Sequence, residues 1–117
     1  MMTGRFPQQH GVMGLGHPAF APYRKEGAHA EQTLPRRLAE AGYMTALLGK
    51  SHLGKPQTYG FAVGDELSGH DDVEIFKQAT EFIKSQPDAG KPFFLWLAPH
   101  QPHVPLLPDT QWLDLYP

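Results

Sequence analysis

The chain has 117 residues, and its 10 Lys and Arg against 12 Asp and Glu give a formal net charge of −2, which provides no basic surface for nucleic acid or an anionic membrane. It contains no cysteine, so disulfide bonds, thiolate zinc sites and a cysteine nucleophile are excluded. No apolar run approaches the roughly 20 residues of a membrane span, and the amino terminus lacks the charged-then-apolar layout of a signal peptide.

The first predicted element along the chain is a short helix. Residues 1–30 are punctuated by glycine and proline and predict a loop-rich start. A helix is predicted over 33–41, where Thr33 can cap the amino terminus and Pro35 suits the first turn. Gly42 is expected to end this helix.

The rest of the chain alternates strand and helix. A short apolar strand is predicted over 43–48, followed by a loop over 49–71 and a helix over 72–86. A second apolar strand is predicted over 93–98, and the proline-rich tail 99–117 shows no clear regular element. The apolar stripe predicted for the longer helix is Val73, Phe76, Ala79 and Ile83, widened by Ile75 and Phe82. This order predicts an α/β fold with parallel strands and flanking helices.

The segment after the first strand superficially resembles a nucleotide-binding loop. Gly49, Lys50 and Ser51 match the end of a P-loop, but the position that requires the first glycine is Met44. Gly54 and Pro56 also block the helix that should follow. The P-loop interpretation therefore fails. If the chain stays extended after the strand, Lys50 and His52 point to the same side and present two donors side by side. The alternative is a solvated loop with incidental polar residues.

Histidines follow the second strand as well. Prolines at 99, 102 and 105 predict extended or polyproline II backbone around His100 and His103. In open α/β sheets, ligands bind beyond the carboxyl ends of the strands. If the two strands are parallel, Lys50, His52 and His103 are expected to converge on one crevice. Lysine and imidazoles without nearby acids make an anion site, for sulfate, phosphate or carboxylate.

Metal binding is the rival interpretation for some of these residues. His100 and His103 have zinc-like spacing, but Pro102 excludes the helical face that usually carries such a pair. Asp71 and Asp72 could form part of a hard-metal cluster, yet they lie where the second helix begins. Helix capping is the favoured role for these aspartates, and no metal ligand is assigned.

Four sequence motifs occur in one fixed order along the chain. They are TGRFPQQHG at 3–11, TLPRRLAEAGYMTALLGKSHLG at 33–54, KPFFLWLAPH at 91–100 and PHVPL at 102–106. Each motif is weak alone, but four in order with sensible spacing are specific. On these motifs the chain resembles the sulfatase family of the alkaline-phosphatase-like superfamily, over nearly its whole length.

The resemblance implies a fold, a substrate and a set of site residues. Lys50 and His52 match the family's lysine and histidine that hold the sulfate group, and His103 matches a histidine that also contacts sulfate. These three are the implied catalytic and substrate-binding residues, and His100 is a further substrate-binding candidate. The implied substrate is a sulfated small molecule or glycan. Calcium and formylglycine are the cofactors implied for a complete family enzyme.

The departures from the family pattern indicate which branch of the sulfatase family the chain resembles. Ser51 stands where tryptophan is usual, and the loop at 55–70 is short. Together with the segments at 10–15 and 55–61, these features favour the sulfamidase-like branch, which cleaves N-sulfated glucosamine. An uncharacterised arylsulfatase-like branch remains an alternative.

The sequence does not match the cofactor-bearing parts of the family. The family's formylglycine arises from a C/S-x-P-x-R motif just before the segment that matches 2–5, and Ser51, Ser68 and Ser85 lie in no such motif. The calcium ligands are also unmatched. We therefore expect 1–117 to be a partial sulfatase catalytic domain, truncated at both ends, that carries sulfate-binding residues and is catalytically incomplete alone.

Two alternatives of other classes stay open from the sequence. One is a non-catalytic anion-binding module, and the other is a poorly folding remnant of a sulfatase. Exposed sheet edges would favour self-association in either case. Family members are often exported, but the sequence shows no signal and assigns no localisation.

Overall fold

Two parallel strands lie at the centre of the computed structural model, which describes residues 2–10, 33–52, 54–64, 71–106, 108 and 110–115. Strand β1 is Met44–Gly49 and strand β2 is Phe93–Ala98. The strands pair in parallel from their first residues to their last. Residue Val63 bridges to Ala46 on β1 in the same direction. The predicted parallel pairing is confirmed, with β1 one residue later than predicted and β2 at the predicted bounds.

Helices flank this sheet. The described helices are α1 (Pro7–His10), α2 (Leu34–Glu40), α3 (Asp72–Ala89) and α4 (Thr110–Leu113), with a 3-10 helix at Pro56–Tyr59. The single turns α1 and α4 were not predicted, because four residues carry too little periodicity to be recognised. Residues 11–15 and 65–70 belong to the segments that favour the sulfamidase-like branch, and they lie outside the described residues. In the described part of the chain, no helix combines the length and apolarity needed to cross a bilayer.

The core is divided between the two faces of the sheet. Because side chains alternate along β1, Leu47 and Leu48 point to opposite faces, and each anchors its own apolar cluster. The first cluster contains Leu47, Tyr59 and Phe61, with Met2, Phe94 and Trp96 against it. The second contains Leu48, Ile75 and Ala79, with Phe82 and Leu95 against it. Strand β1 is therefore covered on both sides, as its continuous apolar sequence requires.

Two buried threonines fasten the segment after the 3-10 helix. The Thr33 hydroxyl donates to the Tyr59 carbonyl at 2.5 Å. The Thr45 hydroxyl donates to the Gly60 carbonyl at 2.8 Å and accepts from the Ala62 N–H at 3.0 Å. Thr33 occupies the N-cap position of α2 but makes no side-chain cap bond, so its predicted capping role is wrong. Its hydroxyl joins α2 to the 3-10 helix instead.

Helix α3 packs against both strands with only part of the predicted stripe, Ala79 together with Ile75 and Phe82 from its widening. Ile75 and Ala79 are buried, whereas Val73 is 79% exposed, Phe76 51% and Ile83 46%. Apolar residues occupy two neighbouring faces of this helix, and only one can lie on the sheet; helical spacing alone cannot choose between them. The helix also continues past its predicted end at 86 and stops at Gly90, which adopts a left-handed conformation with φ 61°.

Candidate functional site

Strand β1 ends at a glycine that the pairing geometry requires. Gly49 has φ 104°, and a Cβ built on it would overlap the Ala98 carbonyl oxygen at the end of β2. The next residue, Lys50, donates its N–H to that same carbonyl at 3.0 Å. We call the sheet edge formed by Gly49 and Ala98 the carboxyl edge. Lys50 therefore starts its loop directly beside the start of the loop that follows β2.

The backbone turns before it reaches His52. His52 itself adopts a left-handed conformation with φ 57°, which non-glycine residues rarely do. Strand alternation would place Lys50 and His52 on the same side only if the chain stayed extended. The chain bends instead, so that prediction is wrong. His52 is exposed, while Lys50 is half-buried. Two positive φ angles within four residues, at Gly49 and His52, bend the chain sharply at the carboxyl edge.

The loop after β2 also departs from the predicted extended backbone. The His103 N–H donates to the His100 carbonyl at 2.8 Å, which closes a turn over residues 100–103. The Gln101–Pro102 peptide bond within this turn is cis. Proline fixes its own φ, but that φ fits both extended backbone and turns, so the prolines alone could not distinguish the two. The turn draws His103 back towards the end of β2.

The two histidines of this turn have different surroundings. His100 is buried, with 8% exposure, and its Nδ1 lies 3.8 Å from Asp72 Oδ1 at the start of α3. His103 is exposed, and its Nδ1 lies 2.6 Å from the Val104 carbonyl oxygen. A carbonyl can only accept, so Nδ1 carries the hydrogen and ligand contact falls to Nε2. His103 thus presents a defined nitrogen at the surface, while His100 packs against α3.

The aspartates at the start of α3 act on backbone N–H groups. The Asp71 side chain accepts from the Glu74 N–H at 3.0 Å, so its predicted capping role is confirmed. Both oxygens of Asp72 accept from the loop after β2, from the N–H of His100 at 2.7 Å and of Gln101 at 2.9 Å. The sequence does not predict this contact, because nothing local signals a partner 28 residues away.

The described residues do not supply a metal site. Among them, no group of three or more His, Cys, Asp or Glu side chains is placed to hold a metal ion. The donor set on the described part of the chain therefore does not fit calcium. What the carboxyl edge does offer is one lysine and a histidine-bearing turn on adjacent loops, which suits an anion.

The comparison with family models shows which family the chain belongs to. A family model described as Sulfatase matches residues 1–117. The chain belongs to the sulfatase family. The family resemblance predicted from the four motifs is therefore confirmed, and the family is one of hydrolases.

Named relatives of this sulfatase chain cover several enzyme types. It is 30% identical over 110 residues to human N-sulphoglucosamine sulphohydrolase, an alignment that covers 88% of the chain and 21% of the relative. It is 42% identical over 55 residues to an arylsulfatase of Hemicentrotus pulcherrimus, covering 46% of the chain and 10% of the relative. It is 25% identical to the N-acetylgalactosamine-6-sulfatase of Canis lupus familiaris, covering 97% of the chain and 31% of the relative. The chain thus spans less than a third of each relative.

Solved structures support the fold. BT4656, determined in complex with its substrate D-glucosamine-2-N,6-O-disulfate, superposes with a TM-score of 0.74 at 26% identity, over 98% of the chain and 26% of BT4656. Ps i-CgsB, determined in complex with k-i-k-neocarrahexaose, superposes with a TM-score of 0.67 at 20% identity, over 99% of the chain and 36% of that protein. The predicted fold class is confirmed: the sulfatase chain is α/β, with the parallel strands and flanking helices of the alkaline-phosphatase-like fold.

Proposed function

We propose that the chain forms part of a sulfatase that hydrolyses a sulfate ester or sulfamate, with Lys50, His52 and His103 holding the sulfate group. The observation that carries the proposal is the parallel pairing of Gly49 with Ala98 at the carboxyl edge. This pairing sets the loop of Lys50 beside the turn that bears His103. Ligands of open α/β sheets bind at this edge of the strands.

The proposed chemistry is stabilisation of charge on the sulfuryl group. As the bond from sulfur to the leaving atom breaks, the Lys50 ammonium stabilises negative charge on the sulfuryl oxygens. His103 and His52 contribute ring N–H groups to the same oxygens, and a protonated imidazole can donate a proton to the leaving oxygen or nitrogen. On His103 this donor is Nε2, which carries a hydrogen only in the protonated ring, because the Nδ1–H faces the Val104 carbonyl.

The proposed substrate is a sulfated glucosamine. Support comes from two of the proteins that this chain resembles, a human relative named N-sulphoglucosamine sulphohydrolase and a structural neighbour solved with D-glucosamine-2-N,6-O-disulfate. The carboxyl edge is exposed and its lysine is half-buried, which suits a sulfated glycan better than a ligand that must be fully buried. The sulfamidase-like branch is therefore the one that we propose.

We expect the 117 residues alone to bind sulfate without turning over substrate. The sequence has no cysteine, and none of its serines lies in a formylglycine motif. In a complete family enzyme, formylglycine would supply the nucleophile and calcium would neutralise the sulfate. The residues described here would contribute the sulfate-binding part of such a site.

Sulfate binding can be measured as protection against urea. Unfolding midpoints are compared in sodium sulfate and in sodium chloride of equal ionic strength, because binding to the folded state raises stability by about 1.4 kcal/mol at ten times the dissociation constant. Sulfate also stabilises proteins by exclusion from their surface, so variants must separate the two effects. We expect Lys50→Ala and His103→Ala to lose the extra stabilisation.

Lys91→Ala is the matched control. Lys91 is an exposed lysine just before β2 begins, at the opposite end of a six-residue strand and therefore roughly 20 Å from the carboxyl edge. It should keep the full response to sulfate. Equal responses from the wild type, Lys50→Ala and Lys91→Ala would refute sulfate binding at this edge.

Turnover is tested separately by ion chromatography of released sulfate. The pure chain is incubated with glucosamine N-sulfate and with glucosamine 6-sulfate, and we expect no release from either. Release that disappears in Lys50→Ala would show that the chain is catalytically complete and would overturn this part of the proposal. Tighter protection by glucosamine N-sulfate than by inorganic sulfate or glucosamine would support the substrate class.

A further inference from the structure

Helix α3 begins with two adjacent aspartates that do different things. Asp71 satisfies the helix amino terminus by accepting from the Glu74 N–H. The side-chain cap is thus made by Asp71 and not by Asp72, whose carboxylate contacts the loop after β2 instead. The side chain of Asp72 is 16% exposed, so its charge lies in a region where hydrogen bonds are stronger than in water.

The contact made by Asp72 has the form of a fork. Its Oδ1 accepts from the His100 N–H at 2.7 Å, and its Oδ2 accepts from the Gln101 N–H at 2.9 Å. Pro99 has no N–H, so these two are the first backbone donors after β2 ends. Bonds from N–H groups to a carboxylate are short and roughly twice as strong as neutral ones, and a two-point contact also fixes orientation.

The turn over residues 100–103 links the Asp72 contact to the candidate site. The His100 carbonyl accepts from the His103 N–H at 2.8 Å, so fixing the backbone of His100 fixes one end of the turn that carries His103. On the other side, the Ala98 carbonyl accepts from the Lys50 N–H at 3.0 Å. Asp72 therefore holds the loop at a point between the two side chains proposed to bind sulfate.

We propose that Asp72 is a positioning residue for the sulfate site, which sets the His100–His103 turn against α3 and thereby places His103 beside Lys50. This inference rests on the proposed function, because that function supplies sulfate as the ligand. The Asp72 contact itself is independent of the proposed function. Asp72 need not touch sulfate, and its negative charge is directed at backbone N–H groups rather than at an anion. A binding side chain is held accurately only if the groups around it are themselves fixed.

The test compares Asp72→Ala with Asp71→Ala, and the readout is amide hydrogen exchange by NMR in the 117-residue chain. Loss of bonds to a charged acceptor should speed exchange at the His100 and Gln101 amides by about ten- to a hundredfold in Asp72→Ala. The Lys50 amide, which bonds to Ala98, should be little changed. Asp71→Ala removes a cap at the same helix end but should leave the His100 and Gln101 amides protected.

Sulfate protection in the same variants decides whether the contact serves the site. We expect Asp72→Ala to weaken sulfate binding by about tenfold, as removal of a supporting partner commonly does, and Asp71→Ala to leave it near the wild-type value. Should Asp72→Ala fail to fold, Asp72→Asn carries the test, because its one remaining acceptor oxygen should protect one of the two amides and restore part of the binding.

Two results in the variants would overturn the proposal. One is unchanged exchange at His100 and Gln101 in the Asp72 variants. The other is an equal loss of sulfate binding in Asp71→Ala and Asp72→Ala, which would reduce Asp72 to a stabiliser of the helix. If sulfate fails to protect even the wild type, the proposed function fails, and the proposal for Asp72 as a positioning residue of a sulfate site falls with it, while the exchange data still show separately whether Asp72 holds the turn.

Discussion

Replacing Gly49 with alanine adds one methyl group where β1 meets β2. In the wild type, the Lys50 N–H bonds to the Ala98 carbonyl at 3.0 Å, immediately beyond Gly49. The added Cβ would overlap that carbonyl oxygen, which belongs to the backbone and cannot rotate away. The end of β1 must therefore move, and Lys50 must move with it.

The expected loss of stability in Gly49→Ala has three parts. Alanine in the left-handed region costs roughly 1–2 kcal/mol relative to glycine. Loss of the Lys50–Ala98 bond adds about 0.5–1.5 kcal/mol. Displacing the strand end loses packing as well, so the sum is about 2–4 kcal/mol against a total stability on the order of 5–15 kcal/mol. A change of this size is easily resolved in a denaturation experiment.

Gly42→Ala is the control that isolates the overlap. Gly42 also has positive φ, 90° against 104° for Gly49, yet a Cβ built on it meets nothing within 4 Å. It should lose only the conformational part, roughly 1–2 kcal/mol. Urea unfolding followed by circular dichroism gives both free energies of unfolding. If Gly49→Ala and Gly42→Ala lose the same stability within about 0.5 kcal/mol, the close approach of the strand ends is refuted.

Two further substitutions test the core by the same measurement. Thr45→Val keeps the shape of a buried side chain but removes the donor to the Gly60 carbonyl, and should cost about 1–3 kcal/mol, whereas Thr80→Val, at an exposed hydroxyl within α3, should stay within about 0.5 kcal/mol; equal effects would contradict the role given to Thr45. Ile75→Ala should cost about 2–5 kcal/mol and Val73→Ala far less, since Ile75 is 1% exposed and Val73 79%. The reverse order would mean that α3 packs on the face that carries Val73 and Phe76.

The sequence could predict β1 because burial on both faces imposes a continuous apolar run, and β2 because its run is equally apolar although it is less buried. It could not predict which face of α3 is buried, since Val73 and Ile75 both belong to plausible apolar stripes and the choice depends on the sheet. Lys50 and His103 were found from their places after the strands and from the family motifs. Their assignment to sulfate binding stays a prediction, and so does that of His52.

The local geometry of the site was the least predictable part. Glycine and proline restrict φ, but they do not say whether the chain bends, and both loops at the carboxyl edge bend where extended backbone was expected. The Asp72 contact was invisible for a different reason. An aspartate at a helix start reads as a cap, and Asp71 already filled that role, but only the three-dimensional arrangement reveals where the second carboxylate points.

The crossover through α3 also constrains the order in which this region can fold. Strands β1 and β2 are joined by residues 50–92, a segment of 43 residues, so closing that loop before any contact forms would cost on the order of 3 kcal/mol in chain entropy. Helix α3 is local and starts with its own cap, so it can form early. Once Ile75 and Ala79 dock on Leu48, the chain that remains between α3 and β2 is short. We therefore expect strand pairing to be the late event, with the carboxyl edge completed last.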